Sequence, residues 1–196
     1  MVFFGAESGS DEILRQMKKN LTSDQTLTLA ERLNRLGITP EFSFVVGNPA
    51  DPEGDARDTI AFVRKIKKLN PDAEIILQHY SPTPQRERMY GGVEDRVDFP
   101  TTLEEWATQP WLDFVNKTDP HVPWTTNRIK RRIDNFKLVV SSRWPTAQDI
   151  MLPGWGRALL RGLSGWRYRF GVYDFPFELR FAQRVVQLRK PQFESL

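Results

Sequence analysis

Three short stretches carry the side chains that could do chemistry. Gly5-Ala6-Glu7-Ser8-Gly9-Ser10-Asp11 sets carboxylates and hydroxyls among glycines directly after an apolar run, and Gly47-Asn48-Pro49 and His79-Tyr80-Ser81-Pro82-Thr83-Pro84 follow two further apolar runs in the same way. Each reads as a strand that stops at polar and backbone-exposing residues, which is where α/β sheets place ligand contacts. Glycine there lets a ligand approach the main chain, and Glu7, Ser8, Asn48, His79 and Tyr80 can hydrogen-bond to it. The set suits binding, and no catalytic residue and no metal ligand is assigned. Cysteine is absent from the 196 residues, which excludes disulfides, thiolate-held zinc and thiolate-held iron–sulfur clusters within this chain.

Plainer readings stay open beside these. Glu7 can simply favour the N-terminal dipole of the next helix, and Ser8-Gly9-Ser10 can be a capped turn. His79, at a strand end among apolar residues, can be a satisfied core histidine. The other histidine, His121, lies between Pro120 and Pro123 with no second histidine or thiol near it.

The elements that must position these residues alternate. Val2–Phe4 is an apolar run whose end leads into a helix over Asp11–Lys19, with Ser10-Asp11 as its cap. Thr22 and Gln25 have capping-box spacing, and Leu29, Leu33 and Leu36 predict one apolar face before Gly37 ends the helix. Glu41–Val46 is rich in aromatic and β-branched residues and reads as a buried strand. Asp51-Pro52-Glu53 starts a helix by cap, proline and acidic first turn, with Ile60, Val63 and Ile66 facing inward until Asn70-Pro71. Glu74–Tyr80 is a third strand. Strand–helix–strand–helix–strand predicts an α/β sheet of parallel strands. Phe3 and Phe4 would lie on an edge, and a closed barrel of such units takes roughly 200–250 residues.

Composition divides the chain. Residues 1–100 hold 13 Lys/Arg against 16 Asp/Glu, a net −3, whereas residues 101–196 hold 15 against 9, a net +6, and all six tryptophans. The expected organisation is therefore 1–90, a linker at 91–100 and a basic, Trp-rich helical region at 101–196. No apolar run is long enough to span a bilayer and the N-terminus lacks a secretory pattern, so a cytoplasmic location is expected.

The stretch from Gly5 to Glu12 with Leu14 and Met17-Lys18-Lys19, then Gly37-Ile38, Phe42–Pro49 and Tyr80–Pro84, resembles the second half of a radical S-adenosylmethionine barrel. The resemblance is greatest to the BchE-like group, which carries a cobalamin-binding domain in front. Thr102–Trp106, Gly165–Arg169 and Tyr173–Pro176 are similar to tails in that group. The resemblance implies a partial (β/α) TIM-type barrel, about three parallel strands with crossover helices, followed by a mainly α-helical C-terminal region. It places Gly5, Glu7 and Ser8 against the ribose or methionine part of S-adenosylmethionine, Gly47 and Asn48 at the fifth-strand motif, and His79 and Tyr80 beside the adenine. Ser43 stands where that motif has glycine, and Asp51 matches its acidic position only approximately.

The family's 4Fe-4S cluster is held by a CxxxCxxC loop that this chain lacks. The resemblance therefore implies the C-terminal part of a radical S-adenosylmethionine enzyme, inactive alone, with a complementary N-terminal chain bringing the cysteines. A cobalamin-dependent methyl transfer or rearrangement, on a small-molecule or lipid-like substrate, is what it implies for the intact enzyme. The alternative is a non-catalytic remnant serving as an interaction protein or peripheral membrane protein.

In the second region Thr101–Val115 reads as a helix anchored by Leu103, Trp106 and Trp111 and interrupted by Pro110, and Asn127–Ser142 as another with Ile129, Ile133, Phe136 and Val140 inward. From Gly154 arginines and aromatic residues alternate, with eight basic and two acidic residues between Met151 and Lys190. Such a stretch can lie on an anionic membrane or pack as a lid with snorkelling arginines. No nucleic-acid module is recognised, and no nucleic-acid partner is expected.

Overall fold

The computed structural model describes residues 1–82, 92–116, 122–145 and 154–185. They form two compact units, residues 1–130 and 131–196, so the stretch 91–100 lies within the first. His121 and the end of the Tyr80–Pro84 motif, Thr83-Pro84, lie outside the described residues.

The first unit is built on a three-stranded parallel sheet in the order β1 (Val2–Glu7), β2 (Pro40–Val46), β3 (Glu74–His79). Each crossover is helical, through α1 (Asp11–Gln16) and α2 (Ser23–Arg35) and then through α3 (Pro52–Leu69). The α/β class and the strand order expected from the sequence are both present. β2 is central, and its Phe42, Phe44 and Val46 are fully buried, with Phe62 of α3 meeting Phe44 edge to face at 6.0 Å. Among the described residues β1 pairs only with β2, and Val2 and Phe3 are exposed.

Local chemistry sets the helix ends. Thr22 and Gln25 form the reciprocal capping box, and Gly37, at φ 66°, closes α2 while the Ile38 N–H donates to the Leu33 carbonyl. Asp51 caps α3 by accepting from the Gly54 N–H at 2.9 Å. Ser10 occupies the N-cap position of α1 but makes no side-chain cap bond; its own N–H donates to Ser8 Oγ. The inward face of α2 is Thr26, Ala30 and Leu33, whereas Leu36 is exposed. The leucine repeat pointed one step away from the stripe that small residues let approach the sheet.

Beyond β3, one turn of 3-10 helix (Val93–Arg96), α4 (Leu103–Trp106) and α5 (Gln109–Val115) follow. Phe99, Trp106 and Trp111 pack on a cluster of Val97, Phe114 and Val122. Leu103 is not an anchor: it is among the most exposed apolar residues, because a first-turn position of so short a helix faces solvent. α6 (Asn127–Arg143) has Ile129, Ile133, Phe136 and Val140 buried as expected.

The second unit takes in most of α6, from Arg131, together with α7 (Gly154–Phe170) and α8 (Phe177–Val185), which are joined by a short turn. Its organising group is Arg167, which is buried. The guanidinium donates to the carbonyls of Val172, Asp174 and Phe175 and grips both carboxylate oxygens of Glu178, whose pKa the arginine pulls below the usual range. No described helix is long and apolar enough to cross a membrane.

Candidate functional site

All three strands are parallel, so Glu7-Ser8, Gly47-Asn48 and His79-Tyr80 come to the same edge of one sheet. The edge is shaped at β1 by an irregular register between Gly5 and Glu7, and Glu7 itself adopts a left-handed backbone at φ 61°. Such a conformation is costly for a residue with a Cβ and is held here by its surroundings. The side chain turns back over Gly5, where an added Cβ would lie 2.8 Å from Glu7 Oε1. Lys19 Nζ donates to the same oxygen at 2.9 Å, leaving the carboxylate partly open to solvent. Ser8 is fully buried, and a Cβ at Gly9 would clash with Phe62 at 2.4 Å, so the turn is clamped onto α3.

At β2 the loop is organised by Asp55, on the first turns of α3. Its Oδ2 accepts from the Gly47 N–H at 2.8 Å and the Asn48 N–H at 2.9 Å, and Thr59 Oγ1 donates to the other oxygen. Burial pushes the Asp55 carboxyl up in pKa, and the two amide bonds pull it back. Gly47 needs its φ of 98°, a value that L side chains rarely adopt. The Asn48 side chain accepts from the Ala50 N–H and donates to Gln16 Oε1.

At β3 His79 is buried, and the Tyr80 ring lies 6.1 Å from Trp124, which covers it. Ser81 Oγ and Trp124 Nε1 are buried with no hydrogen-bond partner among the described residues.

The seven residues singled out in the sequence thus share one edge but not one environment. Gly5 and Glu7 face outward, while Ser8, Gly47, Asn48, His79 and Tyr80 sit beneath other side chains. Sequence reasoning missed Asp55, Lys19, Gln16 and Trp124. Asp55 had a signal, an acidic residue on the first turns of a helix that follows a glycine loop. The others are brought in by the fold. Ser43 is buried within β2, and Asp51 serves the helix cap.

No protein-family model matches the chain. It is similar to the tRNA-2-methylthio-N(6)-dimethylallyladenosine synthase of Wolbachia pipientis from Culex pipiens, 35% identical over 61% of this chain and 28% of that protein. The synthase of the same name from Frankia alni is 28% identical over 65% of this chain and 24% of its own length. The ribosomal protein uS12 methylthiotransferase RimO of Parabacteroides distasonis is 29% identical over 49% of this chain and 24% of its own length. The radical S-adenosylmethionine superfamily is thereby supported. The matched part spans only about a quarter of these relatives, and they lend nothing to the BchE-like, cobalamin-carrying group.

The superfamily's two cofactors fare differently on this chain. A 4Fe-4S cluster does not fit, since no thiolate is present to hold it. S-adenosylmethionine fits in kind: the exposed backbone of Gly5, the Glu7 carboxylate with its side chain 19% exposed and the orphaned Ser81 hydroxyl are polar groups at strand ends, with the orphaned Trp124 indole beside Tyr80.

Proposed function

We propose that this chain forms the latter strands of a radical S-adenosylmethionine barrel of the methylthiotransferase kind, and that its three strand ends line the S-adenosylmethionine pocket. The observation that carries the reading is the meeting of the three motifs at one edge of a parallel sheet whose β1 flank has no partner among the described residues. In this reading Glu7 receives the ligand's amino or ribose donors, Gly5 gives it room, Gly47 and Asn48 present the β2 loop, and His79 and Tyr80 shape the adenine side. The thiolates that hold the cluster come from polypeptide other than these 196 residues, a complementary segment or chain with CxxxCxxC. The cobalamin-linked transfer or rearrangement gives way here to methylthio transfer, since that is the reaction the relatives' names carry. Those names point to tRNA in one case and a ribosomal protein in another, so the proposal stops at the reaction class.

Calorimetry on the chain reconstituted with a polypeptide supplying the cysteine strands tests this. S-adenosylmethionine should bind, and Glu7→Ala should weaken it about tenfold, the loss of one charge-assisted hydrogen bond. Unchanged affinity removes Glu7 from the site, and absence of any complex removes the barrel reading. A second reading, a remnant that keeps the fold alone, is favoured by one observation: Glu7 with Lys19, Asn48 with Gln16 and Asp55 with two amides already satisfy one another. It predicts a folded chain that takes up neither ligand nor complement.

A further inference from the structure

We infer that the second unit docks on an anionic lipid bilayer through α7, α8 and the turn between them. Around α7, Trp155, Leu159, Trp166 and Phe170 fall within about 60° of one another at ~100° per residue. The buried stripe of Gly156, Leu160, Ser164 and Arg167 lies beside them, centred about 110° further round the helix. α7 therefore carries an apolar face wider than the part it buries, and the ring-bearing edge of that face is open. On α8, Phe177, Phe181 and Val185 repeat every four residues and are exposed in the same way, while Leu179 and Ala182 are buried. Together with Phe175 these outward side chains keep between 41% and 72% of their surface open. Six of the eight are rings, and at on the order of 100 Å² each they exceed what scattered surface residues of a soluble protein expose.

Charge names the partner. Arg169, Arg180 and Arg184 are exposed on the flanks of the two ring-bearing stripes, whereas Arg157 and Arg161 are exposed on the far side of α7, and of the two acidic residues in the same span, Glu178 is consumed by Arg167. The Arg169 guanidinium rides over the exposed Phe170 ring at 6.0 Å. Rings that reach headgroup depth with guanidiniums at phosphate level are what an anionic bilayer surface recognises. No described helix can cross the bilayer, so the unit lies on it.

The turn adds an independent observation. Phe175 is exposed and stands at φ 47°, a left-handed conformation that a ring-bearing residue rarely adopts, and the buried Arg167 holds its carbonyl at 3.1 Å. Phe175 stacks on Phe177 at 5.8 Å, so the strained turn presents a pair of rings outward instead of folding them in.

The test is co-sedimentation of the full chain with phosphatidylcholine vesicles with and without phosphatidylglycerol. The chain should pellet with the anionic vesicles and at least about tenfold less with the neutral ones, and high salt should weaken the binding. Phe175→Ser with Phe177→Ser and Phe181→Ser should reduce the pelleted fraction about tenfold while the helical circular dichroism is kept. Brominated lipid should quench tryptophan fluorescence of the unmodified chain, a readout that needs no variant. Absence of binding to anionic vesicles at low salt, absence of quenching, or equal binding by a folded ring variant would overturn the inference. So would binding of heparin or an oligonucleotide that competes fully and ignores the rings, or loss of the free surface to a dimer in solution.

Discussion

The two units place polar and apolar groups in opposite ways. In the first, the central strand draws its aromatic residues inward, and most polar groups at the strand ends are sunk and bonded to their neighbours. In the second, an arginine is buried at the α7–α8 turn, and while Tyr173 packs inward on Phe136, Phe175 and Phe177 stand outside. Burying Arg167 is tolerable because carbonyls and a bidentate carboxylate replace its water, not because the site is apolar. The difference teaches that one chain can be ordered by a packed sheet at one end and by a polar clamp at the other.

The most severe way to break this contrast is to remove the clamp. Arg167→Ala should destabilise the second unit by about 3 kcal/mol or more, leaving Glu178 and three carbonyls without their donor. Hydrogen exchange over residues 154–185 should rise while that over the sheet stays unchanged, and Arg167→Lys should not rescue it because the fork is lost. The pH dependence has the same origin. Glu178 has its pKa depressed when folded, so the stability it contributes is present above the unfolded value near 4.5 and is lost as pH falls through the lower folded value.

Asp55→Ala attacks the corresponding polar centre of the first unit. It strips the acceptor from two buried amides and should cost about 2 kcal/mol in urea denaturation, whereas Asp55→Asn keeps one oxygen in place and should cost under about 1 kcal/mol. If Ala and Asn behave alike, the Gly47 loop is not held by Asp55.

Lys67 sharpens the comparison through pH. At the far end of the sheet from the candidate site, its buried ammonium donates to the carbonyls of Pro71 and Ala73, both at 2.7 Å, and burial pushes its pKa down to about 8. The unfolded chain then holds the extra proton between about 8 and 10.5, so stability attributable to Lys67 should rise with pH across that window. Against a Lys67→Met reference, urea denaturation between pH 8 and 10.5 should show this rise, at most about 2.6 kcal/mol. The least effect is expected at Phe3→Thr on the exposed flank of β1, under about 0.5 kcal/mol for the chain alone, by thermal melting. The same change should weaken any pairing with a complementary strand.

Much of the first unit was legible because its signals are local. Thr22 with Gln25, Asp51 with Pro52 and Gly37 each act within a turn of themselves, and the three strands are bounded by their own breakers. What depended on distance was not. Leu36 and Leu103 look like anchors by type, yet exposure follows from which side of the helix a neighbour reaches. Asp55 bonds to amides seven and eight residues back, through a loop whose shape propensity does not describe. Arg167 was hidden in a run of similar residues that suggested a membrane-facing side or a packed lid. Its position on the stripe of Gly156, Leu160 and Ser164 is the sign that sets it apart, since small neighbours leave the room a guanidinium needs.

Phe175 ties two properties to one codon. Glycine there would relieve a backbone penalty of roughly 1 kcal/mol and delete a ring in the same step. Heat-challenge selection on the isolated chain would therefore favour that replacement, while any pressure to keep the molecule at a lipid surface would oppose it. The residue that survives at this site in a population under each regime is a direct reading of which pressure the chain has lived with.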